Sequence, residues 1–249
     1  MKALTKRNLK ELLRDPLSFI FCLGFPLVML ILMSILNTAI PKEAGMSVFA
    51  LEQLLPGIAV FSFTFCMLFG ALTVSRDRTG ALLWRLRAAP LAPKDYVIGY
   101  LLPLMLTALG QGLVCILAGQ VIAGVSGEFL TVSGLIRCFF ALLPSMVMFV
   151  SLGILFGTVF SDKAAPGICS ILISASSVLS GVWMDVEALS GIMEKICLAL
   201  PFYHCVRAGR MGYAGDGNVW TEIIITAICA VFACIGAVLA LRRQLRKEG

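Results

Sequence analysis

The chain has few residues with which to carry out chemistry. It contains one histidine, His204, and its nine cysteines form no C-x-x-C pair, so metal-binding and disulfide frameworks have little support. One histidine excludes an H-E-x-x-H zinc site, and no G-x-x-x-x-G-K-[ST] loop is present to hold nucleotide phosphates. We therefore expect no catalytic residue, no metal and no cofactor in this chain.

Charge is scarce as well. Only 14% of the 249 residues are charged, whereas 59% are hydrophobic, and the mean hydropathy is +0.97. Soluble domains lie far from these values. Continuous apolar runs of about 20 residues, long enough to cross a bilayer, recur along the chain. We predict an all-α membrane protein with one domain over residues 1–249 and six transmembrane helices, at 17–40, 52–75, 97–123, 132–160, 164–184 and 219–241.

The net charge of +6 is distributed as in a membrane protein rather than in a nucleic-acid-binding protein. Of the 20 Lys and Arg residues, fifteen lie before the first span, in 76–96, at Lys163 and after the last span. Positive residues collect in cytoplasmic segments, so both termini are expected in the cytoplasm, with an even number of spans. The expected location is a bacterial plasma membrane, with membrane lipids and no nucleic acid as partners.

The N-terminal residues 2–15 predict an amphipathic helix on the membrane surface. On a helical wheel its leucines group on one side, and its basic residues Arg7, Lys10 and Arg14 group on another. Asp15-Pro16 is expected to end this helix before the first span.

Residues 76–96 form the one sizeable polar interruption in the middle of the chain. They include a short leucine-rich stretch bounded by Gly80 and Pro90, which predicts an amphipathic helix. A basic loop that only sets orientation and meets anionic headgroups is one interpretation. We favour an ordered surface for docking another protein, formed by Arg78, Leu82, Leu83, Trp84, Arg85, Leu86 and Arg87.

The connection at 185–218 is unusually apolar for an exposed loop. It is too short to cross the membrane and return, so it predicts re-entrant or interfacial helices broken at Pro201. A disulfide between Cys197 and Cys205 is left open. Arg137, at the outer end of the fourth span, is expected to anchor that span at the interface.

Hydroxyl and aromatic side chains in the second and fifth spans allow two interpretations. Such hydroxyls often bond only to their own helix backbone, and this is the simpler expectation. Alternatively, they border a weakly polar path for an amphipathic substrate, and its candidate residues are Phe61, Thr64, Phe65, Ser174, Ser177 and Ser180. Gly153 and Gly157 form a G-x-x-x-G pattern that favours close helix packing.

The order of these features resembles the permease subunit of ABC-2 type transporters. The resemblance rests on the N-terminal helix with Arg14-Asp15-Pro16, the segments 76–91 and 96–103, and 200–204 in the outer connection. It implies a homodimer or heterodimer bound to two copies of a separate ATPase, which would hold ATP and Mg. It also implies that 78–87 is the coupling helix, that 2–15 is the connecting helix, and that the outer gate contains Pro201, Phe202, Tyr203 and His204.

The predicted function is therefore transport without enzymatic activity in this chain, as the permease of an ATP-driven exporter. Its expected substrate is a drug, peptide or lipid-like molecule of hydrophobic or amphipathic character, as in multidrug efflux. An ion-coupled carrier is the alternative, but it needs charged groups at the middle of the membrane, and the predicted spans have no carboxylate or lysine near their centres. A lipid-modifying enzyme is a third, weaker alternative.

Overall fold

The computed structural model describes residues 2–16, 20–39, 47–79, 93–127, 129–186 and 189–247. Within these ranges the regular elements are helices, and no strand occurs. The helices are α1 (Lys2–Arg14), α2 (Phe25–Ala39), α3 (Leu51–Thr79), α4 (Pro93–Val125), α5 (Val132–Ala141), α6 (Leu143–Val159), α7 (Ala165–Leu179), α8 (Ile192–Ala199), α9 (Pro201–Ala214) and α10 (Val219–Lys247). A π-helical turn at Ile20–Gly24 leads into α2, and a 3₁₀ turn at Ser47–Phe49 precedes α3.

Five helical stretches of the described chain are long and apolar enough to cross a membrane. They are Ile20–Ala39, Leu51–Arg78, Val97–Val125, Val132–Val159 and Val219–Gln244. The predicted all-helical class is thus confirmed. The predicted span at 164–184 is wrong in length, because α7 has 15 residues and ends at Leu179. The chain then turns through Gly181, whose positive φ of 77° ends helical geometry.

The helices on either side of the predicted cytoplasmic segment 76–96 extend into it beyond the predicted span ends at 75 and 97. Helix α3 continues to Thr79, and α4 already begins at Pro93, a residue that suits the first helical position because it lacks an N–H. The predicted span at 132–160 is interrupted at Leu142, where α5 ends and α6 begins with Pro144 in its first turn. The last helix extends six residues past the predicted end at 241, as far as Lys247.

Helix α3 is the centre of the bundle. In its membrane-crossing window 83% of the residues are buried, compared with 17% for the first span and 22% for the last. It packs against α6, α4, α7 and α9, while α10 covers the other side of α6. The first and last spans therefore expose apolar side chains outward, as lipid-facing helices do.

The closest approach between helices is the crossing of α3 and α6. A Cβ added to Gly153 would lie 2.5 Å from the carbonyl oxygen of Met67, and one added to Gly157 would lie 2.5 Å from that of Ala71. The predicted G-x-x-x-G packing face is therefore confirmed, and its partner is α3. Only glycine allows this backbone contact.

The connection after α7 contains the predicted broken helix. Helices α8 and α9 are separated at Leu200, and Pro201 is the first residue of α9. Cys197 and Cys205 lie on these two helices as free, buried thiols. The guanidinium of Arg137 donates to the carbonyl oxygens of Gly212 (3.2 Å) and Tyr213 (3.1 Å). Its charge thus stabilises the C-terminal end of α9, and its expected role as an interfacial anchor stays a prediction.

The glycine contact yields a stability prediction. Gly157→Ala is expected to separate α3 from α6 and to lower the free energy of unfolding by about 1–3 kcal/mol, the usual cost of overpacking. The measurement is thermal unfolding of the purified protein in detergent. Gly110→Ala in α4 is the matched control, because a Cβ there meets nothing within 4 Å. Equal melting temperatures for the two variants would contradict the assigned contact.

Candidate functional site

Polar contacts between helices are concentrated at the two ends of the bundle. We call the end that carries Arg7, Asp77 and Tyr100 the basic end, and the end that carries His204 and Glu222 the far end. The predicted path residues lie between the two ends.

The basic end contains a bidentate ion pair between α1 and α3. Arg7 donates to both carboxylate oxygens of Asp77, at 2.9 and 3.0 Å. Tyr100 on α4 donates to the same carboxylate at 2.9 Å, and Asn8 donates to the carbonyl oxygen of Gly99 at 3.1 Å. Paired, parallel N–H···O bonds fix orientation as well as distance. Helix α1 is therefore held against both α3 and α4.

Asp77 is the acceptor at the centre of this group. Its side chain is 10% exposed, whereas that of Arg7 is 37% exposed. The hydrogen bonds from Arg7 to Asp77 raise the pKa of Arg7 above its ordinary value. Arg7 also pairs with Glu11 at 2.9 Å, although that carboxylate is largely exposed. The Arg7–Asp77 pair is thus the better shielded of the two.

Arg78, the next residue on α3, links α3 to two further helices. Its guanidinium donates to the carbonyl oxygen of Thr158, at the end of α6, and to the side-chain oxygen of Gln244 on α10 at 3.1 Å. The end of α3 is therefore connected to α1, α4, α6 and α10. The docking role of Arg78 stays a prediction, and the other predicted docking residues, 82–87, lie outside the described residues.

Helix α1 covers most of the predicted connecting helix 2–15, whose connecting role stays a prediction. Lys10 and Arg14, like Arg7, line a groove of about 850 Å³ between α1 and the end of α3. The side chains of Lys10 and Arg14 are exposed, whereas Asn8 is only 1% exposed. Helix α1 thus places one polar side chain in the bundle and keeps basic side chains outside it.

The structure brings together four of the six predicted path residues. Phe61, Thr64, Ser177 and Ser180 line a cleft between α3 and the end of α7 that is too narrow to hold a water molecule. Phe149 and Phe202 also line it. The other two do not line the cleft. Phe65 packs edge-on against Phe61, with 5.4 Å between ring centroids, and also contacts Phe21 and Phe25, whereas Ser174 is exposed.

The hydroxyls of these spans mostly follow the simpler expectation. Thr64 donates to the carbonyl oxygen of Phe61 at 2.6 Å, and Ser177 donates to that of Ser174 at 2.9 Å. Ser180 differs, because its buried hydroxyl has no hydrogen-bond partner within the described structure. Since an unpaired buried hydroxyl is costly, Ser180 is the hydroxyl best suited to meet a ligand.

The predicted gate residues lie where α9 closes this cleft. The ring of Phe202 stacks on that of Phe149, with 5.9 Å between centroids and an interplanar angle of 20°. Pro201 begins α9, and Tyr203 beside Phe202 is buried. The cleft therefore ends against α9 on the far-end side.

His204 joins three helices at the far end. Its Nδ1 lies 2.5 Å from Oε2 of Glu222 on α10, and its Nε2 lies 2.9 Å from the carbonyl oxygen of Leu198 on α8. Arg207 approaches the other Glu222 oxygen at 3.5 Å. Glu222 therefore attaches α10 to α9.

The sequence analysis did not identify the residues that bind Arg7 and His204. Asp77, Tyr100 and Glu222 were not among the predicted site residues. A further omission is Gln111 in α4, which donates to the carbonyl oxygen of Cys22 in the π-helical turn at 2.6 Å and accepts from the thiol of Cys66 at 2.5 Å. An amide within an apolar span was the available signal for Gln111, and Gln120 of the same span carries it too. Within the described residues, no group of three or more His, Cys, Asp or Glu side chains is placed to hold a metal ion.

Comparison with known proteins identifies the family. A sequence model described as ABC-2 type transporter matches residues 1–213. No curated protein gives a significant match. Members of this family are membrane subunits of transporters and normally work with an ABC ATPase. With its several apolar helices, the chain is a multi-pass membrane protein, and it belongs to the ABC-2 type transporter family of permeases.

Proposed function

We propose that this chain is the permease of an ATP-driven exporter, powered by a separate ATPase and moving a hydrophobic or amphipathic substrate out of the cytoplasm. The observation that carries the proposal is the Arg7–Asp77 pair, which joins α1 to the end of the central helix α3. The basic segment 80–92 follows α3 directly in the sequence. A force applied to that segment by a partner reaches α1, α4, α6 and α10 through bonded side chains.

The coupling proposal places the ATPase contact at Leu82, Leu83, Trp84, Arg85, Leu86 and Arg87, with Arg78 at their junction with the bundle. The basic end is then cytoplasmic, as are both termini, and the ATPase binds and hydrolyses ATP with Mg. Two permease subunits, identical or different, bind two ATPase copies. Closure of the ATPases biases the bundle between two states rather than performing chemistry within it.

The cleft between α3 and α7 is proposed as part of the substrate path. Its lining combines the rings of Phe61 and Phe202 with the hydroxyl of Ser180. Such a lining suits a molecule with an apolar body and a few hydrogen-bonding groups. The narrowness of the cleft and the stacked Phe202–Phe149 pair support a closed gate, which α9 must leave for the substrate to pass.

The ATPase contact is tested by reversing charge in the basic segment. Arg85→Glu/Arg87→Glu is expected to abolish copurification of an ABC ATPase with the tagged chain, because a basic surface becomes acidic. The measurement is the amount of ATPase recovered from native membranes, determined by mass spectrometry. Arg242→Glu/Arg243→Glu on exposed positions of α10 is the control with the same charge change. Equal recovery for both variants would refute the assigned docking surface.

The coupling pair is tested by Asp77→Asn. Arg7 then loses its anionic partner. We expect the contact between α1 and α3 to be weakened by about 1.5–3 kcal/mol, the usual contribution of hydrogen bonds to charged groups. ATPase binding should persist, while ATP-driven uptake of a fluorescent amphipathic dye into inverted vesicles falls about tenfold or more, as 1.4 kcal/mol corresponds to a factor of ten. Glu11→Gln is the control, since exposed pairs contribute less than about 1 kcal/mol. Normal transport by Asp77→Asn would disprove the coupling role.

The far-end attachment is tested by Glu222→Gln. Removing this charge leaves His204 and Arg207 without their shared anion, so α10 and α9 should separate more easily. We expect a lower melting temperature and dye leakage without ATP, both measured in proteoliposomes. Glu194→Gln on α8 is the control, because Glu194 forms no ion pair within the described structure. A tight, thermally unchanged Glu222→Gln protein would show that this contact does not hold the gate.

A further inference from the structure

The groove between α1 and α3 has more basic than acidic residues in its lining, and the Arg7–Asp77 pair does not neutralise this excess. Its volume is about 850 Å³, and five of its ten lining residues are basic while three are acidic. One wall is α1. The opposite wall is a stretch near the end of α3, from Thr73 to Asp77. The groove therefore lies at the level where α3 passes from apolar to charged sequence.

Three of the basic residues are not neutralised within the described structure. Arg7 is held by Asp77 and Glu11. Lys6, Lys10 and Arg14 are exposed and form no ion pair or hydrogen bond with a described residue. They follow one another at intervals of four, so they lie on one face of α1. Their charges are available to a ligand in the groove.

The surface beside the groove is apolar. Pro16 forms part of the groove, and the first span begins four residues later, where the side chains of Ile20 and Phe21 are 58% and 43% exposed. Phospholipids have this same order of chemistry, with a phosphate next to hydrocarbon. Lysine and arginine are common phosphate ligands in proteins.

We propose that the groove binds the phosphate headgroup of an anionic phospholipid through Lys6, Lys10 and Arg14, with its acyl chains along Ile20 and Phe21. A soluble phosphate would share the same cations but would gain nothing from the exposed apolar side chains. The lipid site does not depend on the proposed export function. A lipid bound there spans α1 and the first span, and it thereby supports the orientation in which Arg7 reaches Asp77.

The first test measures lipid retention by the purified full-length protein. Native mass spectrometry should show phosphatidylglycerol retained in preference to phosphatidylcholine. Lys6→Gln/Lys10→Gln should weaken retention by about fivefold for each lysine removed, since one basic residue near an anionic surface contributes about 1 kcal/mol. Arg242→Gln/Arg243→Gln removes the same charge from α10 and should retain the lipid. Equal losses in both variants would overturn the site.

The second test uses the wild-type chain, so it does not depend on how a variant folds. Lysine acetylation is mapped in nanodiscs of phosphatidylcholine with and without phosphatidylglycerol. We expect phosphatidylglycerol to protect Lys6 and Lys10 but not the exposed Lys163, which lies outside the groove. Equal protection of all three lysines would show general surface attraction and refute a defined site. Equal protection by inorganic phosphate in phosphatidylcholine nanodiscs would show a soluble ligand and refute the lipid assignment.

Discussion

The architecture depends on the close packing of α3 against α6. Gly153 and Gly157 allow the two backbones to touch, at Met67 and Ala71 respectively. In a membrane the hydrophobic effect does not press helices together, so van der Waals contact of this kind must do so. Because α3 is central, a displacement of either of its ends is transmitted to most of the bundle.

The polar contacts are placed where they connect helices without weakening this core. Asp77 and Arg78, adjacent on α3, bond to α1, α4, α6 and α10. At the far end, Arg210 on α9 donates to the carbonyl oxygens of Gln53 (3.0 Å), near the start of α3, and of Gly181 (2.9 Å). Charged side chains near span ends can remain hydrated in part, which makes them less costly than charges at the middle. The bundle is thus attached at its ends and apolar along its length.

Gln111 is the notable polar group within the spans. It bonds to the carbonyl oxygen of Cys22, in the π-helical turn that begins the first span. A π turn leaves backbone groups out of the regular helical pattern, and in lipid each such group needs a partner from the protein. Gln111 supplies one and also accepts from the Cys66 thiol. The irregular turn and the buried amide therefore explain each other.

Some parts of the candidate site followed from the sequence, and others could not. Arg7, Lys10 and Arg14 were recognised because helical periodicity and charge are local properties. Phe61, Thr64, Ser177 and Ser180 line one cleft because their helices are neighbours, and their role in a substrate path stays a prediction. Phe65 contacts Phe61 from outside that cleft, and Ser174 is exposed. The importance of Asp77 could not be read locally, since its partners Arg7 and Tyr100 lie 70 and 23 residues away.

The sequence by itself determined the helical membrane class, most of the spans, the broken helix at Pro201 and the family. It does so because lipid demands continuous apolar helices, and proline and glycine interrupt them in recognisable ways. Only the tertiary structure decided that α7 is short, that α3 extends to Thr79, and that Arg7 meets Asp77 while His204 meets Glu222. These outcomes depend on which helix faces are brought together, and that choice is made by packing over the whole bundle rather than by any local pattern.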